Sequence, residues 1–219
     1  MHKTVKNLID IENQLKSNLG NLNKSNLPKI IAVSKTFKMD NILPLIEHGH
    51  LDFGENKVQE AVDKWTEIKD NNSNIKLHMI GKLQTNKVKF AVKLFDYIHS
   101  VDSEKLAKKI ADEQLKVQKN IKVFVQVNIG GESQKSGINI DEINNLVIFC
   151  KKIDLNVIGL MCIPPAKIDP TVHFQEMNKI NKVNNFEELS MGMSSDYLKA
   201  AKFNSTYLRI GSNIFGQRN

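Results

Sequence analysis

Lys29-Ile30-Ile31-Ala32-Val33-Ser34, closed by Lys35, is a short β-branched apolar run that ends on a cation. Its apolar residues are consecutive rather than alternating. That is the pattern of a strand buried on both faces, as in a parallel sheet covered by helices. Seven similar runs follow, at Leu51–Gly54, Lys76–Ile80, Tyr97–Val101, Lys122–Asn128, Val157–Ile163, Leu189–Met193 and Thr206–Ile210. Between them the apolar spacing turns helical. Leu106, Ala107, Ile110, Ala111 and Leu115 form one stripe, with Asp102 or Ser103 placed to cap it. Ile143, Val147 and Phe149-Cys150 mark another, and Leu8, Ile11, Leu15 and Leu19 form a stripe before the first strand. Eight strands in 219 residues make about 27 residues per unit, the size of a βα unit with short loops. The expected fold is therefore α/β, a (β/α)8 barrel with an extra N-terminal helix, and one domain over residues 1–219. An open doubly wound sheet would prefer a glycine-rich turn after the first strand, and Ser34-Lys35-Thr36-Phe37 is not one.

Composition narrows the function. The chain is 41% hydrophobic and 25% charged, ordinary for a globular protein. At this size roughly 70% of the unfolded chain's surface is buried on folding, enough for a core without disulfides or metals. No apolar stretch is long enough to span a bilayer, and the N-terminus lacks a signal-peptide pattern. Cys150 and Cys162 sit among apolar residues without metal-ligand spacing, so they read as reduced core thiols of a cytoplasmic protein. The net charge is +7, but the only arginines are Arg209 and Arg218, and the lysines are scattered among acids. That pattern describes solvated helix faces rather than a nucleic-acid surface with aromatic platforms.

A (β/α)8 barrel carries its active site at the C-terminal ends of the strands. The polar residues that close each run there include Lys35, Asn56, Asn128 with Lys135, Ser194, and Arg209 with Gly211 and Ser212; His78 lies within the third run. Lys35 would stand at an apolar rim, where desolvation favours the neutral, nucleophilic amine; the alternative is a lysine that simply reaches out to solvent. The loops after the last two strands offer Ser194-Ser195-Asp196 ahead of a helix and a glycine turn at Gly211, a pairing suited to phosphate. A lysine opposite a phosphate site points to pyridoxal 5′-phosphate (PLP), whose ring nitrogen would face Arg209. An arginine cannot give up its proton to the ring, which weakens the ring as an electron sink.

Longer stretches carry a resemblance. They are Ala32-Val33-Ser34-Lys35; Phe53-Gly54-Glu55-Asn56 with Gln59-Glu60; His78 through Ile80-Gly81 to Leu83-Gln84 and Asn86-Lys87; Val127-Asn128-Ile129 to Lys135 and Gly137; Gly159-Leu160-Met161 with Ile163-Pro164; Leu189 through Ser194 to Asp196; and Arg209-Ile210-Gly211 to Phe215-Gly216 and Arg218. In order along nearly the whole chain, they resemble the pyridoxal-phosphate homeostasis proteins, whose fold is the barrel domain of alanine racemase. The resemblance implies Lys35 as the Schiff-base lysine, Arg209 at the pyridine nitrogen, and Ser194, Gly211 and Ser212 on the phosphate. It also implies Asn56, His78 and Met191 around the ring, and Lys135 as a lysine of cofactor transfer. Lys38 and Lys57 stand where the family often has a proline and an aromatic residue. The function so implied is a PLP carrier, monomeric, with PLP-requiring apoenzymes as partners and with no nucleic acid, membrane or metal. The alternative is a PLP-dependent racemase. It is disfavoured because no pair of bases is evident, and the chain ends soon after the eighth strand, with no room for the second domain that brings a racemase its tyrosine.

Overall fold

In the computed structural model the described residues are 1–20, 27–132, 134–166 and 168–217. Eight parallel strands close into a barrel in the order β1 to β8. They are β1 Lys29–Val33, β2 Asp52–Glu55, β3 Lys76–Met79, β4 Tyr97–Val101, β5 Lys122–Val127, β6 Val157–Cys162, β7 Glu188–Met193 and β8 Tyr207–Ile210. A helix follows each strand: α2 Met39–Glu47, α3 Val58–Asn71, α4 Val88–Leu94, α5 Glu104–Lys116, α6 Ile143–Lys152, α7 Thr171–Val183, α8 Tyr197–Lys202 and α9 Ser212–Phe215. The extra helix α1, Lys3–Asn18, precedes them. The expected (β/α)8 barrel with an added N-terminal helix is the observed fold, and each expected strand lies within one residue of the observed one at either end.

Strand periodicity divides the core into two layers. Ile31, Tyr97, Phe124, Met161 and Tyr207 point inward and fill the barrel. The intervening residues, such as Ile30, Phe53, Leu77, Ile98, Leu160 and Met191, point outward beneath the helices. Burying each such side chain contributes about 1.5–3 kcal/mol. Ser103 caps α5 by accepting the Leu106 N–H at 3.3 Å.

α1 closes the ring where β8 meets β1. Val5, Leu8, Ile11 and Leu15 form its buried stripe. Its polar edge ties to the end of the chain: Asn7 Nδ2 donates to the Ile214 carbonyl at 2.9 Å, and Gln14 Oε1 accepts from the Tyr197 hydroxyl at 2.8 Å. The helices that follow β7 and β8 are thereby held in place, and both stand next to the phosphate loops expected from sequence. Among the described residues, no helix is long and apolar enough to cross a membrane.

Candidate functional site

A cavity of about 900 Å³ opens at the C-terminal ends of the strands. Inward parity explains its walls. Ile31, Val33 and Lys35 share one face of the first strand and its extension; Ile31 fills the barrel, while Val33 and Lys35 line the cavity. Asn56, two residues past Gly54, lines it from β2, and Arg209 lines it from β8. Gly81 also faces it, and its backbone lies so close to Asn56 that a Cβ there would meet the Asn56 carbonyl oxygen at 2.4 Å. Only glycine allows that approach, which fixes Asn56 at the wall. The Asn56 Oδ1 atom is buried and has no hydrogen-bond partner.

Opposite Lys35 lie the two loops after β7 and β8. Ser194 Oγ accepts the backbone N–H groups of Gly211 at 3.2 Å and Asn213 at 3.4 Å. Asp196 opens α8 as expected, at its N-cap, while its side chain turns back and accepts the Met193 N–H at 2.6 Å. Gly192, with φ of 92°, lets the end of β7 pass α8, where a Cβ would stand 2.6 Å from the Ala200 Cβ. Together these contacts turn the chain so that Ser194, Ser195, Gly211 and Ser212 all line the cavity.

Arg209 is nearly buried, at 4% exposure. Its Nη1 donates to Ser190 Oγ at 2.6 Å and its Nη2 to the Cys162 carbonyl at 2.8 Å. Burial lowers the guanidinium's pKa from its ordinary value, opposed by the neighbouring Cys162 and Asp196. Burial also pushes the Cys162 thiol up to about 12. Lys135 reaches the same cavity, with its ammonium on the Pro164 carbonyl at 3.1 Å and on Glu132 at 2.5 Å.

Lys35, Asn56, Lys135, Ser194, Arg209, Gly211 and Ser212 therefore meet at one cavity. Two expected ring-pocket residues do not. Met191 is fully buried with the outward-facing residues of β7, between barrel and helices, because it alternates with the inward-facing Ser190. His78 points inward but sits one layer too deep, hydrogen-bonded to Asp52 and His99; Ile80, two residues on, reaches the wall instead. Lys38 and Lys57 stand at the starts of α2 and α3 and are not part of the wall. Arg218 lies outside the described residues. Sequence reasoning missed Gln126, which lines the cavity and donates to the Ser136 carbonyl at 3.0 Å. A polar residue inside the apolar run of β5, two before Asn128, was the available signal.

The donor set suits PLP. An amine stands at one side of the cavity, a hydroxyl and glycine-turn N–H groups at the other, a buried cation lies on the wall, and the Asn56 acceptor is left without a partner.

Comparison with known proteins agrees. Residues 10–219 match the alanine racemase N-terminal domain family. A pyridoxal phosphate homeostasis protein of Vibrio cholerae is 35% identical over 201 residues, covering 87% of this chain and 85% of the relative. The structure of PipY from Synechococcus elongatus with PLP bound superposes with a TM-score of 0.82 at 30% identity, covering 94% of this chain and all of that one. An alanine racemase of Clostridium difficile shares the fold at 16% identity, with a TM-score of 0.73 over 99% of this chain and 57% of its own. The barrel, the order of its motifs and these likenesses agree that the chain belongs to the alanine racemase N-terminal domain family and, within it, to the pyridoxal phosphate homeostasis proteins.

Proposed function

We propose that this chain binds PLP in the barrel-mouth cavity and serves PLP homeostasis as a monomeric, cytoplasmic carrier that supplies PLP-requiring apoenzymes. The observation that carries the reading is the convergence of Lys35, Arg209 and the Ser194 and Gly211-Ser212 loops on one cavity. When bound, PLP supplies an aldehyde and an electron-accepting ring. Lys35 is the amine that attaches it. Ser194, Gly211 and Ser212 hold its phosphate through hydroxyl and backbone donors. Arg209 stands against the pyridine nitrogen as a fixed cation that keeps that nitrogen unprotonated. Asn56 offers its unpartnered oxygen to the ring. Lys135, on the opposite loop of the same cavity, is placed to receive cofactor in transfer.

Borohydride reduction of PLP-loaded protein, followed by peptide mapping, tests this reading. The trapped adduct is expected on Lys35 and is lost in Lys35→Ala. An undiminished adduct on Lys135 in that variant overturns the assignment.

A further inference from the structure

A column of polar side chains runs through the apolar barrel, and the binding of PLP does not by itself account for it. Asp52 of β2, His78 of β3, His99 of β4 and Ser190 of β7 all point inward and end on Arg209. The Asp52 Oδ1 to His78 Nε2 distance is 2.9 Å, His78 Nδ1 to His99 Nε2 is 3.0 Å, and His99 Nδ1 to Ser190 Oγ is 2.9 Å. Arg209 Nη1 to Ser190 Oγ is 2.6 Å. His78, His99 and Ser190 are completely buried.

With both imidazoles neutral, the donors and acceptors allow one arrangement. A carboxylate only accepts, so His78 donates from Nε2 and presents Nδ1 as an acceptor. His99 then donates from Nε2 and accepts at Nδ1. Ser190 gives its single proton to His99, and its lone pair takes the Arg209 N–H. Burial of both rings favours these neutral forms. Burial lowers the pKa of His78, opposed by Asp52 and Asp96 and helped by Lys29; it lowers that of His99 well below the ordinary value, with His78 and Arg209 adding to the effect. The rings are also fixed in plane. Tyr97 stacks on His78 and Phe124 on His99, each at 4.3 Å between centroids.

The energetic logic concerns Arg209. A buried cation needs compensating negative charge or full hydrogen bonding. Its direct partners in the barrel are a hydroxyl and a carbonyl, both neutral. Asp196 acts on the guanidinium from outside the column; the column's own carboxylate, Asp52, lies at its far end, and bonds that all point one way polarise one another.

We propose that Asp52, His78, His99 and Ser190 form a one-directional hydrogen-bond relay that fixes the Arg209 guanidinium and couples it to the charge of Asp52. These four are positioning residues; Arg209 alone touches the cofactor. The proposal rests on the reading that Arg209 faces bound PLP.

Two measurements test it. In cofactor-free protein, nitrogen NMR of the histidine side chains is expected to find both His78 and His99 as neutral Nε2–H tautomers. An imidazolium or an Nδ1–H tautomer at either overturns the relay, whether or not PLP binds. The second measurement is PLP affinity. His99→Phe keeps the stack on Phe124 but cuts the relay, and is expected to weaken PLP binding by roughly tenfold or more, the loss of one hydrogen bond to a charged group. His99→Gln can accept from Ser190 and donate to His78, and is expected to restore binding to within about threefold of the parent. Parent-like affinity in His99→Phe, or no rescue by His99→Gln, overturns the proposal. Should His99→Phe not fold, the tautomers and the His99→Gln affinity decide. A parent protein that binds no PLP overturns the cofactor reading instead and leaves the tautomer result standing.

Discussion

Single atoms set what the cavity can hold. Ser194 Oγ gathers the N–H groups of Gly211 and Asn213 at 3.2 and 3.4 Å, so those donors converge on one point, as an anion site requires. Pyridoxal lacks the phosphate and forfeits at least two charge-assisted contacts of about 1.5–3 kcal/mol each. It is expected to bind about 100-fold more weakly than PLP, or weaker still, by spectroscopic titration. Equal affinity for the two compounds would place the phosphate elsewhere. Much of this was legible in the residues: Lys35, Asn56, Ser194, Arg209 and Gly211 each end an apolar run, and strand ends in a barrel converge. Depth along a strand was not legible, because inward parity is shared by every layer. His78 and Ile80 have the same parity, and only the closed barrel shows that Ile80 reaches the wall while His78 lies beneath it.

At the scale of elements, α3 holds the turn that presents Lys35. Glu55 is fully buried at the end of β2, and its Oε1 accepts from Ser34 Oγ at 2.7 Å, Trp65 Nε1 at 2.9 Å and Lys64 Nζ at 3.1 Å. Lys64 also donates to the Ser34 carbonyl and to Glu60, and Glu60 accepts the Thr36 N–H at 2.6 Å. The residues on both sides of Lys35 are thus tied to one helix. Thr36 is left-handed, with φ of 69°, an unfavourable state for a β-branched residue that this clamp sustains. Lys64→Met would strand the buried Glu55 charge without its cation. It is expected to destabilise the fold by about 3–5 kcal/mol in urea unfolding. Lys108→Ala, which removes an exposed pair with Asp112, should change stability by about 0.5 kcal/mol or less. Comparable losses for the two variants would remove Glu55 from the clamp. The eight strands could be read from sequence because doubly buried strands are short uninterrupted apolar runs. The Glu55 clamp could not, since its members are scattered over β1, β2 and α3 and meet only when the barrel closes. Met191 was misplaced for a related reason: the motif brings it beside the serines in sequence, and alternation sends it to the other face.

For the whole molecule, the barrel interior makes stability depend on pH. His78 and His99 are completely buried, and both have pKa values lowered from the ordinary 6.5, chiefly by desolvation. His78 faces Asp52 on β2, Tyr97 and His99 on β4, Tyr207 on β8 and the charge of Lys29 on β1. His99 faces His78, Ser190 and Arg209. In the unfolded chain both imidazoles take up protons as pH falls through about 6.5, whereas in the barrel they resist. Stability rises with pH wherever the unfolded state binds more protons, so these groups add stability above that value and lose it below. Between about pH 7.5 and about pH 5.5, His99 is expected to account for roughly 1 kcal/mol of lost unfolding free energy. His78 adds a smaller part, because Asp52 beside it favours its protonated form. Asp52 itself is raised by burial but lowered more by its His78 bond and nearby cations, ending below its ordinary 3.8, so it stays charged across this window. Urea unfolding of the parent and of His99→Gln at both pH values isolates the effect. The parent should lose roughly 1 kcal/mol more than the variant on acidification. An equal loss in both would mean that His99 takes up its proton inside the barrel, and the column from Asp52 to Arg209 would then carry a charge that its one-way hydrogen bonds cannot accommodate.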